Sequence, residues 1–362
     1  MCGRHLHHGV MAGDTVLLPD WQVMTDDQIR RWEEVLDNLA GMLPAGASAA
    51  LIDGAHPHTR ILADRLADTL HATGRPCARL TSITPAADED AWRADNTSTT
   101  VALADGPLWR DHPPASRWDL TIWLRTPPAH HGGGDLEHTA DVVVDLHDPA
   151  WPVIRHVTAR LATANHWYIT EGRAFFATRA ATWDTKFGDD LPAYHQAVAE
   201  TALPAGATVI DVGCGTGRAL PALRAAIGPT GVVLAADFTP QMLAMARIRA
   251  CAERATLLLA DAYHLPVGTR CVDAVFAAGL LTHLPDVEAG LTELARITRP
   301  GGRLILFHPS GRAALAARHG RTLHPDEPLA ETPLRDATLR TGWRLDTYDD
   351  APHRFHATAT RR

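Results

Sequence analysis

A glycine-rich segment that directly follows an apolar run constrains this chain more than any other feature. The run Val209-Ile-Asp-Val212 predicts a buried strand, and Gly213-Cys-Gly-Thr-Gly217 comes immediately after it. Residues 218–226 then show the spacing of a helix. Glycines at such a turn let the backbone bend tightly and approach a ligand closely, and the helix N-terminus adds unpaired N–H groups. The segment therefore predicts a ligand-binding turn in an α/β domain.

The spacing of these glycines separates two classes of nucleotide-like ligand. A dinucleotide fingerprint, G-x-G-x-x-G, needs its third glycine at position 218, which is Arg218, whereas here that glycine comes one residue earlier. The carboxylate of Asp211 precedes the first glycine, where it would repel a pyrophosphate but not an ammonium or a sulfonium group. The pattern therefore favours a cationic cofactor that bears an amino acid over NAD.

Two further acids end the next strands of this half of the chain. Asp237 ends the second strand, about 20 residues after the last glycine, where a carboxylate accepts from ribose hydroxyls. Asp261 ends the third strand and is followed by Ala262, and a carboxylate there accepts from the exocyclic amino group of adenine. Pro300-Gly-Gly302 predicts a tight turn before the fifth strand.

Four stretches in order resemble class I S-adenosylmethionine-dependent methyltransferases, the seven-stranded type, over roughly residues 173–362. They are residues 209–217, 236–243, 260–262 and 299–305. The resemblance implies S-adenosyl-L-methionine as the cofactor. It places Asp211 near the methionine amino end, Gly213 and Gly215 along the loop, and Asp237 on the ribose. The other residues predicted to contact the cofactor are Cys214, Gly217, Phe238, Asp261, Ala262 and Trp183.

The resemblance also implies that residues 181–187 cap the cofactor. Trp183 or Phe187 would stack near the sulfonium by cation–π attraction, or both would simply pack the helix onto the sheet. Methyl transfer from a sulfonium requires mainly proximity and a dry site. It requires a base only when the acceptor arrives protonated. His283, after the fourth strand, and His308, at the end of the fifth, are the candidate bases or acceptor contacts, with a structural role as the alternative for His283.

The N-terminal half reads as a second α/β unit. Residues 45–157 resemble uridine kinase-like proteins of the P-loop nucleoside kinase group, through Ile52-Asp-Gly54, residues 61–66, residues 118–124 and residues 140–145. A working P-loop needs G-x-x-x-x-G-K-[ST], and here the second glycine and the lysine are missing. We therefore expect a degenerate domain that binds a nucleotide-like acceptor or serves as a scaffold.

The predicted fold class is α/β with two doubly wound domains. One is a C-terminal seven-stranded Rossmann-like sheet, and the other is an N-terminal P-loop-kinase-like sheet. The predicted domains are a loose N-terminus over 1–20, the degenerate domain over 21–160 and the methyltransferase domain over 161–362. A helix is predicted over 26–42, and a long helical stretch over about 154–202, broken near Gly172 and residues 188–192. Other predicted strands are 49–53, 100–104, 120–124, 142–146, 232–237, 256–260, 273–277, 303–307, 343–348 and 354–360.

The amino-acid composition limits the ligands and binding partners that we expect for this chain. A formal net charge of −8 and scattered arginines argue against nucleic acid and favour a small-molecule acceptor. The 5 cysteines lack C-x-x-C spacing, and the 21 histidines form no H-E-x-x-H motif, so reduced thiols and no metal are expected. Without an apolar run of membrane length or a signal peptide, we expect a cytoplasmic protein. A non-catalytic cofactor-binding or regulatory protein and a bifunctional kinase–methyltransferase remain the alternatives.

Overall fold

The chain divides into two compact units. The computed structural model describes residues 18–54, 57–80, 100–110, 117–126, 137, 139–158, 160–161, 166–187, 189–318 and 322–362. One unit is formed within residues 1–127 and 144–152, the other within 128–143 and 153–362. The predicted domain boundary near residue 160 stays a prediction. Most of the predicted loose N-terminus, residues 1–17, lies outside the described residues.

The first sheet is formed by short apolar runs between Ser48 and Val157. Its strand order is β2-β3-β1-β4-β5-β6, and β1 runs parallel to both β3 and β4. Helix α1 begins with a capping box, in which Thr25 and Gln28 exchange side-chain-to-backbone hydrogen bonds. The elements are α1 (Asp26–Met42), β1 (Ser48–Gly54), α2 (His58–Ala72), β2 (Cys77–Leu80), β3 (Val101–Asp105), β4 (Leu120–Arg125), β5 (Val142–Asp145) and β6 (Val153–Val157).

Two features of the predicted helical stretch over 154–202 are wrong. Residues Val153–Val157 form strand β6, because a short run of β-branched residues that is mostly buried pairs within the sheet. Helix α3 (His166–Ala177) runs through Gly172 without a break. A Cβ atom at Gly172 would lie 2.7 Å from the ring of Phe238, so this glycine permits close packing and does not end the helix. Strand β2 was not predicted at all.

The second sheet has seven strands in the order β12-β13-β11-β10-β7-β8-β9. The pairs from β11 through β9 are parallel, and β13 is antiparallel to both β11 and β12. This confirms the predicted seven-stranded sheet. The strands are β7 (Thr208–Val212), β8 (Val232–Asp237), β9 (Ala255–Leu259), β10 (Val272–Ala278), β11 (Thr298–His308), β12 (Trp343–Ala351) and β13 (Arg354–Arg361).

Helices cover both faces of this sheet. Neighbouring residues of β10 point to opposite sides, so Val275 joins one buried cluster with Leu291, and Phe276 joins the other with Leu223. The helices after α3 are α4 (Trp183–Phe187), α5 (Leu191–Ala199), α6 (Leu220–Ile227), α7 (Pro240–Ala252), α8 (Val287–Ile297), α9 (Arg312–Arg318) and α10 (Glu331–Arg340). In the part of the chain that the structure describes, no helix is long and apolar enough to cross a membrane.

Strand order reverses between β7 and β10, because β7 continues to β8 on one side while β10 leads to β11 on the other. In open parallel sheets, ligands bind outside the carboxyl ends of the strands at such a switch point. The glycine loop follows β7 at this point, so the topology places it at the expected binding crevice.

Candidate functional site

The glycine loop turns where the sequence predicts a turn. Gly213, Gly215 and Gly217 have φ angles of 74°, 53° and 80°, in the left-handed region that favours glycine. The amide of Gly213 donates to the carbonyl of Ala236, 2.8 Å away, which ties the loop to the end of β8. At Gly217 a Cβ would lie 2.9 Å from the Leu220 side chain, so this glycine lets the loop pack on helix α6.

Asp237 organises the loop through both of its carboxylate oxygens. Oδ2 accepts from the backbone amide of Gly215 at 2.9 Å, and Oδ1 accepts from that of Thr239 at 2.8 Å. Burial raises the pKa of Asp237, while these amides oppose the rise. A carboxylate oxygen accepts more than one hydrogen bond, so both oxygens keep capacity for a ligand's hydroxyl groups.

Asp211 is a buried carboxyl group at this site, and one of its oxygens lacks a hydrogen-bond partner among the described residues. The residue is 1% exposed, and that oxygen is Oδ1. Burial and the neighbouring Asp237 raise its pKa to about 8. A buried acceptor without a donor is costly, so this carboxyl suits a ligand that brings a cationic or hydrogen-bonding group. The residues present therefore fit a cofactor with an ammonium end.

Cys214 lies inside the loop, but its side chain belongs to the core. It is buried with Val209 and Leu220 in the cluster beneath the loop, and burial raises the pKa of its thiol. Its part in a cofactor site is therefore limited to its backbone.

Asp261 and Ala262 follow β9 as predicted, with Ala262 buried. One oxygen of Asp261 accepts from the amide of Tyr263 at 3.1 Å and from the hydroxyl of Tyr168. The Tyr168 ring also lies beside Phe238, with 6.2 Å between ring centroids. Sequence reasoning missed Tyr168, since its segment showed only a helical pattern with no motif.

Residues 180–187 are fastened to the glycine loop by an ion-pair network. Asp184 accepts from the Thr216 hydroxyl at 2.6 Å and from the guanidinium groups of Arg249 at 2.7 Å and Arg218 at 3.1 Å. Arg218 also pairs with Asp190. The arginine that occupies the position of a dinucleotide-type third glycine thus anchors the predicted capping segment.

Trp183 lies in this segment, half-buried, with its ring centroid 5.7 Å from that of Phe176. This contact is with helix α3 and not with the sheet, so both the stacking of Trp183 on a sulfonium and its packing onto the sheet stay predictions. The side chain of Phe187 lies outside the described part of the chain.

His283 ends a short 3₁₀ turn, Leu281–His283, after β10. Its Nδ1 lies 3.0 Å from a guanidinium nitrogen of Arg155, and its ring packs edge-to-face on Phe176 at 5.1 Å. Burial, followed by the charge of Arg155 and the proximity of His308, lowers its pKa to about 3. The imidazole is therefore neutral at physiological pH. Arg155 lies in β6, the strand that the sequence pattern did not predict.

His308 ends β11 as predicted, near enough to His283 to influence its pKa. Its Nδ1 lies 2.9 Å from the carbonyl oxygen and 3.1 Å from the amide nitrogen of Ser310. Burial lowers the pKa of His308 below its ordinary value, with the Ser310 carbonyl opposing. A neutral imidazole held at the carboxyl end of a strand can accept a proton.

A cavity of about 30 Å³ lies between helix α3 and the loops after β8 and β10. A cavity needs about 10–15 Å³ of such volume to hold a water molecule, so this one has room for ordered water. The cavity is lined by Ile154, Arg155, Tyr168, Gly172, Phe176, Phe238 and His283. Within the described ranges, no group of three or more His, Cys, Asp or Glu side chains is placed to hold a metal ion.

Comparison with known proteins identifies one domain. Residues 210–306 match a family model described as a methyltransferase domain. Methyltransferase GfsG of Streptomyces halstedii is 39% identical over 106 residues, which are 28% of this chain and 37% of that protein. A demethylmenaquinone methyltransferase of Lactiplantibacillus plantarum is 33% identical over 138 residues, 37% of this chain and 53% of that protein. The chain thus spans only about a third to a half of the length of these relatives.

Solved structures are also similar to the chain. A SAM-dependent methyltransferase from Aquifex aeolicus has 21% identity and a TM-score of 0.44, covering 51% of this chain and 98% of that one. Magnesium protoporphyrin IX methyltransferase from Synechocystis PCC 6803 with bound SAH has 21% identity and a TM-score of 0.41, covering 54% of this chain and 100% of that one. The family match confirms a methyltransferase domain in the part of the chain where the four motifs predict one. The uridine kinase-like resemblance of the N-terminal half stays a prediction.

Proposed function

We propose that this chain transfers the methyl group of S-adenosyl-L-methionine to a small-molecule acceptor. The observation that carries the proposal is the buried Asp211, whose Oδ1 lacks a partner among the described residues, beneath a glycine loop at the switch point of the sheet. A ligand with a cationic amino acid at one end satisfies this group, whereas a pyrophosphate does not.

Different residues of the site bind different parts of the cofactor. Asp211 and the Gly213–Gly215 backbone take the methionine end, and Asp237 accepts from the ribose hydroxyls. The remaining oxygen capacity of Asp261 suits the exocyclic amino group of adenine, with Phe238 and the backbone of Ala262 beside the ring. These residues lie at or just after the carboxyl ends of the parallel strands β7, β8 and β9.

Methyl transfer requires of the protein mainly that it holds the cofactor and the acceptor in the correct orientation. The cofactor, when bound, supplies a methyl group already activated by the positive sulfur. The aromatic rings of Phe176 and Trp183, which pack edge-to-face, would help to exclude water from the site, and this would strengthen the electrostatic interactions within it. His308 receives the acceptor's proton when the acceptor is a phenol, an alcohol or an acidic carbon. His283 is held by Arg155 and has a structural role.

A small molecule is the acceptor that composition favours. The formal net charge of −8 disfavours a polyanion, because phosphate binding needs clustered arginine and lysine. A demethylmenaquinone methyltransferase is among the relatives, which fits a small organic acceptor for this chain as well.

For the N-terminal unit we propose a scaffold in preference to a kinase. Asp53 is the second-last residue of β1, and its carboxylate forms an ion pair with Arg110. This places a negative charge where a P-loop would cradle phosphate. If the chain is bifunctional after all, purified protein will phosphorylate nucleosides with ATP. We expect neither that activity nor ATP hydrolysis.

Isothermal titration with S-adenosylhomocysteine tests the main proposal. We expect saturable binding by the full chain and its loss in Asp211→Asn, whereas Asp336→Asn, an exposed carboxylate of helix α10, binds like the parent. Folded protein that binds no ligand at high micromolar concentration would instead favour a non-catalytic scaffold. A screen of metabolite extracts with methyl-labelled cofactor then identifies the acceptor by the compound that gains label.

A further inference from the structure

The phenol of Tyr168 occupies the far end of the candidate cofactor site. The side chain is 5% exposed, and its hydroxyl donates to a carboxylate oxygen of Asp261. Its ring packs edge-to-face on Tyr263, with centroids 5.2 Å apart, and tilts against Phe238 at 6.2 Å. Burial and the Asp261 carboxylate together raise the pKa of Tyr168, so the hydroxyl keeps its proton and remains a donor.

These contacts are those that the proposed function gives to adenine. Adenine is a flat aromatic ring whose amino group donates to a carboxylate, and Tyr168 is a flat aromatic ring whose hydroxyl does the same. Asp261 and Phe238 border both. Two rings cannot fill one slot at the packing density of a protein interior. Tyr168 and the adenine ring therefore exclude each other.

The rest of helix α3 closes the crevice as well. Gly172 lies so close to Phe238 that a Cβ would approach the ring to 2.7 Å. Phe176 lies one turn further and contacts the rings of Phe238 at 6.2 Å and His283 at 5.1 Å. With these side chains in place, the cavity that they line has a volume of about 30 Å³. That space admits a water molecule but no nucleoside.

We propose that helix α3 is a gate in which Tyr168 occupies the adenine subsite and must withdraw before the cofactor binds. The inference rests on the proposed function and deepens it, since it concerns access to the same site. The apparent dissociation constant of such a site equals the intrinsic constant divided by the fraction of open molecules. Changes that weaken the closed state alone therefore tighten cofactor binding.

Polar and ring contacts hold the gate closed. Besides the Tyr168 hydroxyl, the Arg173 guanidinium donates to the Phe238 carbonyl at 2.7 Å, and Glu171 accepts from the amide of Ile154 at 2.7 Å. Single hydrogen bonds of this kind contribute modestly to a conformational equilibrium. Removal of one such hydrogen bond should therefore shift the balance between the closed and the open state by a measurable factor.

Two substitutions weaken the closed state by different physical means. Tyr168→Phe keeps the ring but removes the donor to Asp261, and we expect S-adenosylhomocysteine to bind roughly tenfold tighter, the equivalent of one charge-assisted hydrogen bond. Gly172→Ala favours the helix intrinsically but presses its Cβ against Phe238, so it too should tighten binding. Thr170→Ala, an exposed position of the same helix, should leave the dissociation constant unchanged.

Hydrogen exchange supplies a second readout on the full chain. We expect amides of residues 166–177 to exchange faster when S-adenosylhomocysteine is bound, because the helix leaves the crevice. Slower exchange on binding, or weaker binding by Tyr168→Phe, would make Tyr168 a cofactor contact and overturn the gate. If the parent binds but neither variant binds tighter, the gate is wrong and the proposed function stands. If the parent fails to bind and Tyr168→Phe binds, the gate is supported; if none of the proteins binds, both proposals fail.

Discussion

The Nδ1 atom of His283 lies 3.0 Å from a guanidinium nitrogen of Arg155. A guanidinium group has donors only, so Nδ1 accepts this hydrogen bond and the ring proton must lie on Nε2. In that tautomer neither nitrogen has a free lone pair. The pKa of about 3, lowered mainly by burial, agrees with a ring that does not take up a proton near neutral pH. The contact favours the structural role of His283 over the catalytic one.

We therefore expect His283→Gln to keep most of the methyl-transfer activity. The glutamine carbonyl can accept from Arg155 in place of Nδ1, so the turn after β10 retains its anchor. The measurement is kcat as a function of pH for the parent and the variant, with His195→Gln, an exposed histidine of helix α5, as the control. A loss of more than about a hundredfold in kcat, together with the disappearance of an acidic limb, would assign the base to His283.

His308 should behave differently. When its Nδ1–H donates to the Ser310 carbonyl at 2.9 Å, Nε2 keeps a lone pair for the acceptor's proton. Because burial lowers its pKa, the ring is neutral at pH 7 and activity should fall only below the ordinary histidine range as pH decreases. His308→Gln should lower kcat by about 10²–10⁴-fold for a protonated acceptor and abolish that acidic limb. An unchanged pH profile in this variant would show that no base acts here.

The two histidines show which parts of the site can be predicted from sequence. The glycine loop, Asp237 and Asp261 follow strands whose apolar runs are local signals, so their position at one edge of the sheet could be predicted from the sequence. Arg155 and Tyr168 reach the site from segments more than 80 residues before their partners, His283 and Asp261. Their segments carry no glycine pattern or paired charge, so only tertiary packing brings them there.

Strand β6 illustrates a second limit. A short apolar run fits a strand or a buried helical segment equally well, and periodicity alone does not distinguish them. The run Val153–Val157 lies just before a long helical pattern, which predicts that most of the run belongs to the helix. In the structure, the run pairs as a strand of the first sheet. Because the pattern predicts a helix at this position, it also gives no indication that Arg155 lies beside His283.

Asp211 makes cofactor binding depend on pH. With its pKa raised to about 8, the carboxyl is mostly protonated at pH 7 in the cofactor-free protein. A nearby ammonium group favours the ionised form, so binding should release a proton and affinity should rise with pH up to about 8. Titration of S-adenosylhomocysteine in buffers of different ionisation enthalpy counts the protons released. A proton count of zero for the parent at pH 7 would contradict the prediction.

The same group should limit the stability of the cofactor-free protein. Its pKa is higher in the folded chain than the ordinary 3.8, so between about pH 4 and pH 8 the folded state holds a proton that the unfolded state has released. Stability from this group is therefore present at acidic pH and is lost as pH rises through this window. Asp211→Asn removes the loss, and we expect its melting temperature at pH 8 to exceed that of the parent. A lower melting temperature would mean that the carboxylate is already paired.

Substitution of Gly215 allows the effect of backbone strain on stability to be measured separately from the effect of ligand contact on binding. Its φ of 53° disfavours any side chain, yet a Cβ there would meet no atom within 4 Å, because it points into the open space before the loop. Gly301 offers a matched control, with a φ of 79° and likewise no atom within 4 Å, but it lies within β11 near the amino end of that strand, whereas the glycine loop lies at the carboxyl ends of the parallel strands.

Alanine at either position should cost about 1 kcal/mol of unfolding free energy, because both side chains would adopt a left-handed backbone. Only Gly215→Ala should also weaken S-adenosylhomocysteine binding, by tenfold or more on the scale of one steric clash at about 1.4 kcal/mol. Urea denaturation and isothermal titration on both variants measure the two effects separately. Equal affinity in Gly215→Ala and Gly301→Ala would place the cofactor away from this loop, since the strain is common to both and only the ligand's approach distinguishes them.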